Sequence, residues 1–132
     1  MAQSAEAGCA AFKKTTEKKM KEIKAIIKPF KLDNVLTELH KIDGLPGITV
    51  SDIRGFGKSK GKDAAETISE GLHELVPKTK IELVVADEIA DRIVDVIQKS
   101  AHTGNPGDGK IFVVDVKEVV KIRTNERGEG AI

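Results

Sequence analysis

The sequence predicts an α+β domain in which one mainly antiparallel, four-stranded sheet carries two helices on one face. Three observations lead there. Four short stretches carry alternating or β-branched apolar residues, as strands do. Two longer stretches space apolar residues by three and four, as helices do. The six follow one another as strand, helix, strand, strand, helix, strand.

Residues 22–28 form the first strand, with Ile23, Ala25 and Ile27 on one face, and Pro29, which cannot donate to a ladder, ends it. Asp33 is placed to cap a helix over 34–43 whose inner face holds Val35, Leu36, Leu39 and Ile42. Gly44, Pro46 and Gly47 turn the chain into a β-branched second strand, 48–54. Residues 55–77 open with Gly55, Gly57 and Gly61 and stay polar, a loop length that compact domains keep mainly for function. A short helix over 64–75 fits their composition. The third strand, 78–85, sets Ile81, Leu83 and Val85 against Lys80, Glu82 and Val84. The second helix spans 87–101, where Ile89, Ile93 and Ile97 recur at intervals of four. Asp87 and Glu88 at its start and Lys99 near its end suit the helix dipole.

Gly104, Pro106, Gly107 and Gly109 break the chain before a fourth strand, 110–116, and 119–123 reads as a short fifth. Residues 1–19 are expected to be a disordered tail or an added remnant ahead of a domain at 20–132, and 124–132 a polar, mobile end. The order is the split βαβ, or ferredoxin-like, pattern. Its two helices leave one sheet face uncovered. Ile111, Val113 and Val114 are too apolar for water, so self-association is expected.

A chain of 132 residues supports one domain. Its 22 Lys plus Arg against 21 Asp plus Glu lack the basic excess of a nucleic-acid binder. With no Trp, no Tyr and four Phe, it has few platforms on which bases stack. A single cysteine, Cys9, makes neither an internal disulfide nor a thiolate cluster, which suits a reducing compartment. No apolar run approaches the roughly 20 residues of a membrane span, and the first residues lack a secretory signal's basic start and apolar centre. The expectation is a cytoplasmic protein that meets a membrane only through a partner.

Three segments carry candidate chemistry. In residues 103–112, Gly107 and Gly109 let backbone N–H groups approach an anion, Asp108 lies between them, and Lys110 adds a cation where the loop enters a strand. This is a phosphate cradle without the Gly-Lys-Ser/Thr ending of a Walker loop; the competing reading is a glycine-rich turn with no ligand. Lys121 and Arg123 fall on one face of the expected fifth strand, with Ile122 on the other, and suit a polyphosphate or, equally, a solvated edge. Gly55, Gly57 and Lys58 permit a ring or phosphate to come close, or simply root a flexible loop.

These segments, with residues 26–33, 77–82 and 122–124, resemble the PII nitrogen-regulatory signalling proteins in order and spacing, from residue 20 nearly to the C-terminus. The resemblance implies a non-catalytic homotrimer that binds ATP or ADP in clefts between subunits. It implies that Thr49 and the backbone at Val84 meet the adenine, with Ile26, Gly55, Gly57 and Lys58 lining the cleft and Glu82 near the ribose. Gly107, Asp108, Gly109 and Lys110, joined by Lys121, Ile122 and Arg123, are then expected around the phosphates. Residues 55–77 correspond to the T-loop, which docks on targets such as an ammonium channel, another transporter or a metabolic enzyme. Magnesium with ATP, and 2-oxoglutarate near Ser59, Lys60 and Lys78, belong to the same implication.

Departures concentrate in that loop. The chain has no tyrosine, which excludes uridylylation; Gly71 falls near its usual place, and Ser69 lies near a position that some relatives phosphorylate. Ser59 replaces the glutamine that relatives direct at magnesium and 2-oxoglutarate, leaving that effector open. Lys121 replaces an arginine, a point charge for a bidentate fork. One extra residue sits around 43–47. The alternative function is a PII-like nucleotide sensor that controls a different transporter or carbon-metabolism target without 2-oxoglutarate. An enzyme is disfavoured because His40, His73 and His102 stand apart without a supporting motif. An RNA-recognition module is disfavoured because only Phe112 lies on an expected strand.

Overall fold

Strand pairing, more than any single propensity, decides where the elements begin and end. In the computed structural model, which describes residues 19–56 and 75–132, β1 (Met20–Ile27) is followed by a 3-10 turn (Pro29–Lys31), α1 (Leu32–Leu39), β2 (Thr49–Gly55), β3 (Val76–Ala86), α2 (Asp87–Ala101), β4 (Lys110–Val116) and a closing 3-10 turn (Gly128–Ala131). The strands form one sheet in the order β2-β3-β1-β4, each neighbour antiparallel. The bounds of α2 and β4 agree with the sequence expectation.

β1 and β2 shift by one or two residues, and three further elements differ. β3 begins at Val76, ahead of Pro77, because there the strand pairs only with β2: Pro77 faces Arg54, and the ladder to β1 starts at Thr79. A proline missing its N–H is tolerated where one side has no partner. α1 starts at Leu32, so Asp33 lies in its first turn rather than capping it, and the helix grows out of the Pro29 turn. It stops at Leu39, short of the expected 43, and Gly44 at φ 81° reverses the chain. The expected fifth strand at 119–123 does not form. Val120 makes an isolated bridge to Arg127, closing a turn in which Asn125 takes φ 65°, and Lys121 N–H donates to the Glu126 carbonyl at 2.8 Å. The alternation argued for Lys121 and Arg123 therefore has no strand to act on. The chain end is folded rather than loose: Ala131 is buried in the closing turn.

The core lies between the helices and one sheet face. Ile23, Ala25 and Ile27 of β1 and Ile81, Leu83 and Val85 of β3 meet Val35 and Leu39 of α1 and Ile93 and Ile97 of α2. The two helices are tied where Asn34 Nδ2 donates to the Ser100 carbonyl at 2.8 Å. At the other end of β1, Lys21 pairs with Asp115 at 2.6 Å and Asp87 at 3.3 Å, fastening β4 and the start of α2 to the central strand.

The uncovered face needs one correction. Ile111 packs against the core, and the register sets Val113 opposite Ile23, on the helix side, where it remains exposed. The apolar residues left on the open face of β4 are Phe112 and Val114, 47% and 49% exposed, opposite Lys24 and Glu22. Among the described residues, no helix is long and apolar enough to cross a membrane.

Candidate functional site

The glycine-rich turn between α2 and β4 is tied by its own carboxylate. Asp108 Oδ2 accepts from the backbone N–H groups of Thr103 and Gly104, each at 2.9 Å. Asp108 Oδ1 accepts from the Thr103 hydroxyl and from Lys28 Nζ, the latter at 3.1 Å. Such donors favour the ionised form. The Thr103 hydroxyl above all, then its N–H, that of Gly104 and the Lys28 ammonium, holds the Asp108 carboxyl well below the usual carboxylate range. Because the folded value is the depressed one, this tie contributes fully at neutral pH and is lost only as pH falls through that low value.

The glycines serve a different purpose. Gly104, Gly107 and Gly109 take φ 89°, 91° and 100°, where side chains are strained. At Gly109 a Cβ would lie 1.7 Å from the Ile26 carbonyl oxygen, so the turn presses directly on the β1 backbone. At Gly107 a Cβ would lie 3.4 Å from Lys78 Nζ and 3.6 Å from Lys28 Cε, which places two lysines beside it. Lys78 Nζ donates to the Gly107 carbonyl. The loop's bonds use the N–H groups of Thr103, Gly104 and Asn105; among the described residues they leave out those of Gly107 and Asp108.

Two clefts frame the loop and the sheet. One, of about 300 Å³, brings Ile26, Asp108, Gly109 and Lys110 together with Ile97, Gln98 and His102. The second, of about 350 Å³, gathers Thr49, Glu82 and Val84 with Glu22, Pro46, Gly47 and Ile132. The register explains the second grouping, since Thr49 and Lys24 flank Glu82 on neighbouring strands and Val84 stands opposite Glu22. The two clefts share no residue.

The remaining expected residues are scattered. Gly55 ends β2 opposite Val76. Lys121, Ile122 and Arg123 lie on the 120–127 turn and line neither cleft; Ile122 is 98% exposed, and Lys121 Nζ reaches Glu126 at 3.6 Å. Gly57, Lys58, Ser59, Lys60 and Ser69, residues 64–74 of the possible helix, His73 and the 1–18 tail lie outside the described residues, and Leu75 is not helical. His40 follows α1, exposed, its ring against the Leu36 carbonyl at 2.6 Å. Among the described residues, no group of three or more His, Cys, Asp or Glu is placed to hold a metal ion. Sequence reasoning missed Lys28 and Thr103, the partners of Asp108, and Ile132. The signal for Lys28 was its place just before Pro29 at a strand end; nothing local linked it to a loop 75 residues away.

Comparison with known proteins adds the family. Residues 20–126 match the family described as nitrogen regulatory protein P-II. A P-II protein of Azospirillum brasilense is 51% identical over 113 residues, covering 86% of this chain and all of its own. P-II 1 of Escherichia coli K12 is 50% identical over the same coverage. Among solved structures, Arabidopsis thaliana PII bound to citrate superposes with TM-score 0.69 at 39% identity, covering 86% of this chain and 92% of its own. A B. subtilis GlnK-ATP complex gives 0.70 at 30% identity, covering 86% and 96%.

Proposed function

The chain belongs to the P-II nitrogen regulatory protein family, and on that premise we propose that it binds ATP and ADP in clefts between three copies of itself and regulates a target protein through residues 55–77. Its relatives are named as regulatory proteins, and this chain is a signal-transduction protein rather than an enzyme.

The observation that carries the nucleotide reading is the loop at 103–110. Two backbone N–H groups left out of its own bonding, at Gly107 and Asp108, lie in a turn that has Lys78 Nζ beside Gly107 and Lys110 at its exit into β4. Backbone amides and cations gathered in one turn suit a phosphate. Gly109 and Lys110 belong to the same site. Asp108, saturated by donors of its own loop and Lys28, acts as the clasp rather than as a phosphate ligand.

The second cleft suits the base and sugar. Thr49 and the Val84 backbone would meet adenine, with Glu82 near the ribose, while Ile26 and Gly55 from a neighbouring copy close the other side. Each cleft alone sits at the lower end of the volumes that bury a drug-sized ligand, about 300 to 1,000 Å³. A nucleotide shared between the first cleft of one copy and the second of another uses both. Lys121, Ile122 and Arg123 would close over it from their exposed turn, and Gly57 and Lys58 from the loop root. The ATP and citrate carried by the two structural relatives support an anion-accepting site. Magnesium finds no carboxylate cluster among the described residues, so it would enter on the phosphates of ATP, where it would offset their charge.

The loop at 55–77 is the proposed contact with a transporter, such as an ammonium channel, or a metabolic enzyme. Whether 2-oxoglutarate is a second effector turns on Ser59, Lys60 and Lys78. Calorimetry with ATP, ADP and AMP, with and without magnesium and 2-oxoglutarate, tests the whole reading. A rise in ATP affinity with 2-oxoglutarate assigns it as an effector; no rise favours a sensor of nucleotide alone. Lys110→Ala is expected to weaken ATP binding roughly 10- to 100-fold, the loss of one charge-assisted contact. A folded variant that binds ATP like the wild type contradicts the phosphate assignment.

A further inference from the structure

Building on that nucleotide reading, we propose that Lys28 and Thr103 are positioning residues of the site. Clasped on Asp108, they hold the 103–110 loop in the shape that leaves the Gly107 and Asp108 N–H groups free for a polyphosphate.

A carboxylate in a phosphate-binding loop is a liability, because an unpaired negative charge there repels the ligand. Here it is fully engaged: Oδ2 takes two backbone N–H groups, and Oδ1 takes the Thr103 hydroxyl and the Lys28 ammonium. The Thr103 hydroxyl is used to capacity as well. It donates to Asp108 while accepting from Lys28 Nζ and from Asn105 N–H, both at 3.1 Å. A hydroxyl offers one donor and two acceptor sites, and all three are filled.

Lys28 links this loop to the central strand. Its side chain is 18% exposed. Its backbone leaves β1 extended, at φ −68° and ψ 137°, as the residue before a proline must. The next turn locks it, since Lys31 N–H donates to the Lys28 carbonyl at 3.0 Å. With Nζ shared between Thr103 and Asp108 and its stem against Gly107, Lys28 neutralises the loop's own charge and fixes its path.

The test compares ATP, ADP and AMP affinities, with thermal unfolding alongside, in Lys28→Met, Thr103→Val, Thr103→Ser, Asp108→Asn and the Lys28→Met/Asp108→Asn double variant. Lys28→Met is expected to weaken ATP about tenfold, as loss of a charge-assisted bond does, and AMP distinctly less. Thr103→Val should behave likewise, whereas Thr103→Ser retains the hydroxyl and the affinity. In the Asp108→Asn background, Lys28→Met should add little, because the ammonium has already lost its carboxylate. Equal losses for ATP and AMP, or losses that add in the double variant, overturn the positioning role while leaving nucleotide binding intact. Should Lys28→Met fail to fold, the Thr103→Val and Thr103→Ser pair decides the same question. A wild-type protein that binds none of the three nucleotides overturns both readings.

Discussion

Gly109 is where a single atom matters most. Its φ of 100° is already unfavourable for a side chain, and the Ile26 carbonyl occupies the place of a Cβ, 1.7 Å away. Gly109→Ala therefore cannot be absorbed by a rotamer change; either the loop or the β1 backbone must move. An alanine forced to positive φ costs more than about 1 kcal/mol, and here the clash adds to it. The variant is expected to melt lower and to lose ATP affinity together, as read by thermal unfolding and calorimetry. Gly107 tolerates more space, since its neighbours are lysine side-chain atoms that can swing away. That difference was invisible in the sequence, where the two glycines look alike. The glycine-rich run itself is legible as a candidate cradle, but nothing local in the sequence links Asp108 to Thr103 and Lys28, which meet it only in three dimensions.

The elements follow their periodicity wherever one face is buried. α2 spans the expected residues because Ile93 and Ile97 fall on one face and are fully buried against the sheet. Ile93→Ala removes core packing without touching either cleft. It is expected to cost about 2–5 kcal/mol of stability, measured by denaturant unfolding, with nucleotide affinity retained in the folded fraction. The bounds of β4 are equally legible, but which of its residues face inward follows only from its register against β1, which leaves Ile111 inward and Phe112 outward. The expected fifth strand failed for a physical reason. Val119 and Val120 suit a strand, but no sheet edge receives them, and Asn125 in a left-handed conformation folds the segment back on itself. The end of α1 was misjudged because Ile42 is buried like a helix residue while lying in the turn after it.

At the scale of the whole molecule, the sheet is finished on one side only. The open face of β4 shows Phe112 and Val114 to solvent, and the two clefts share no residue. The proposed association of three copies would resolve both at once. Phe112→Asp is expected to weaken that association and, because the site would span two copies, to reduce ATP binding with it. Sedimentation velocity checks the first and calorimetry the second. A variant that sediments as the wild type does and binds ATP equally would show that this face is not the contact.

Alternation, helix spacing and glycine placement by themselves determined the order of strands and helices, most of the inner residues and the position of the glycine-rich turn. They suffice because each depends on neighbours within a few positions. Tertiary structure alone decided that Lys28 and Thr103 hold Asp108, that Gly109 lies on the Ile26 carbonyl, and that the 120–127 segment is a turn. Those facts rest on contacts between segments far apart in the chain, whose meeting depends on strand register and packing rather than on any local pattern.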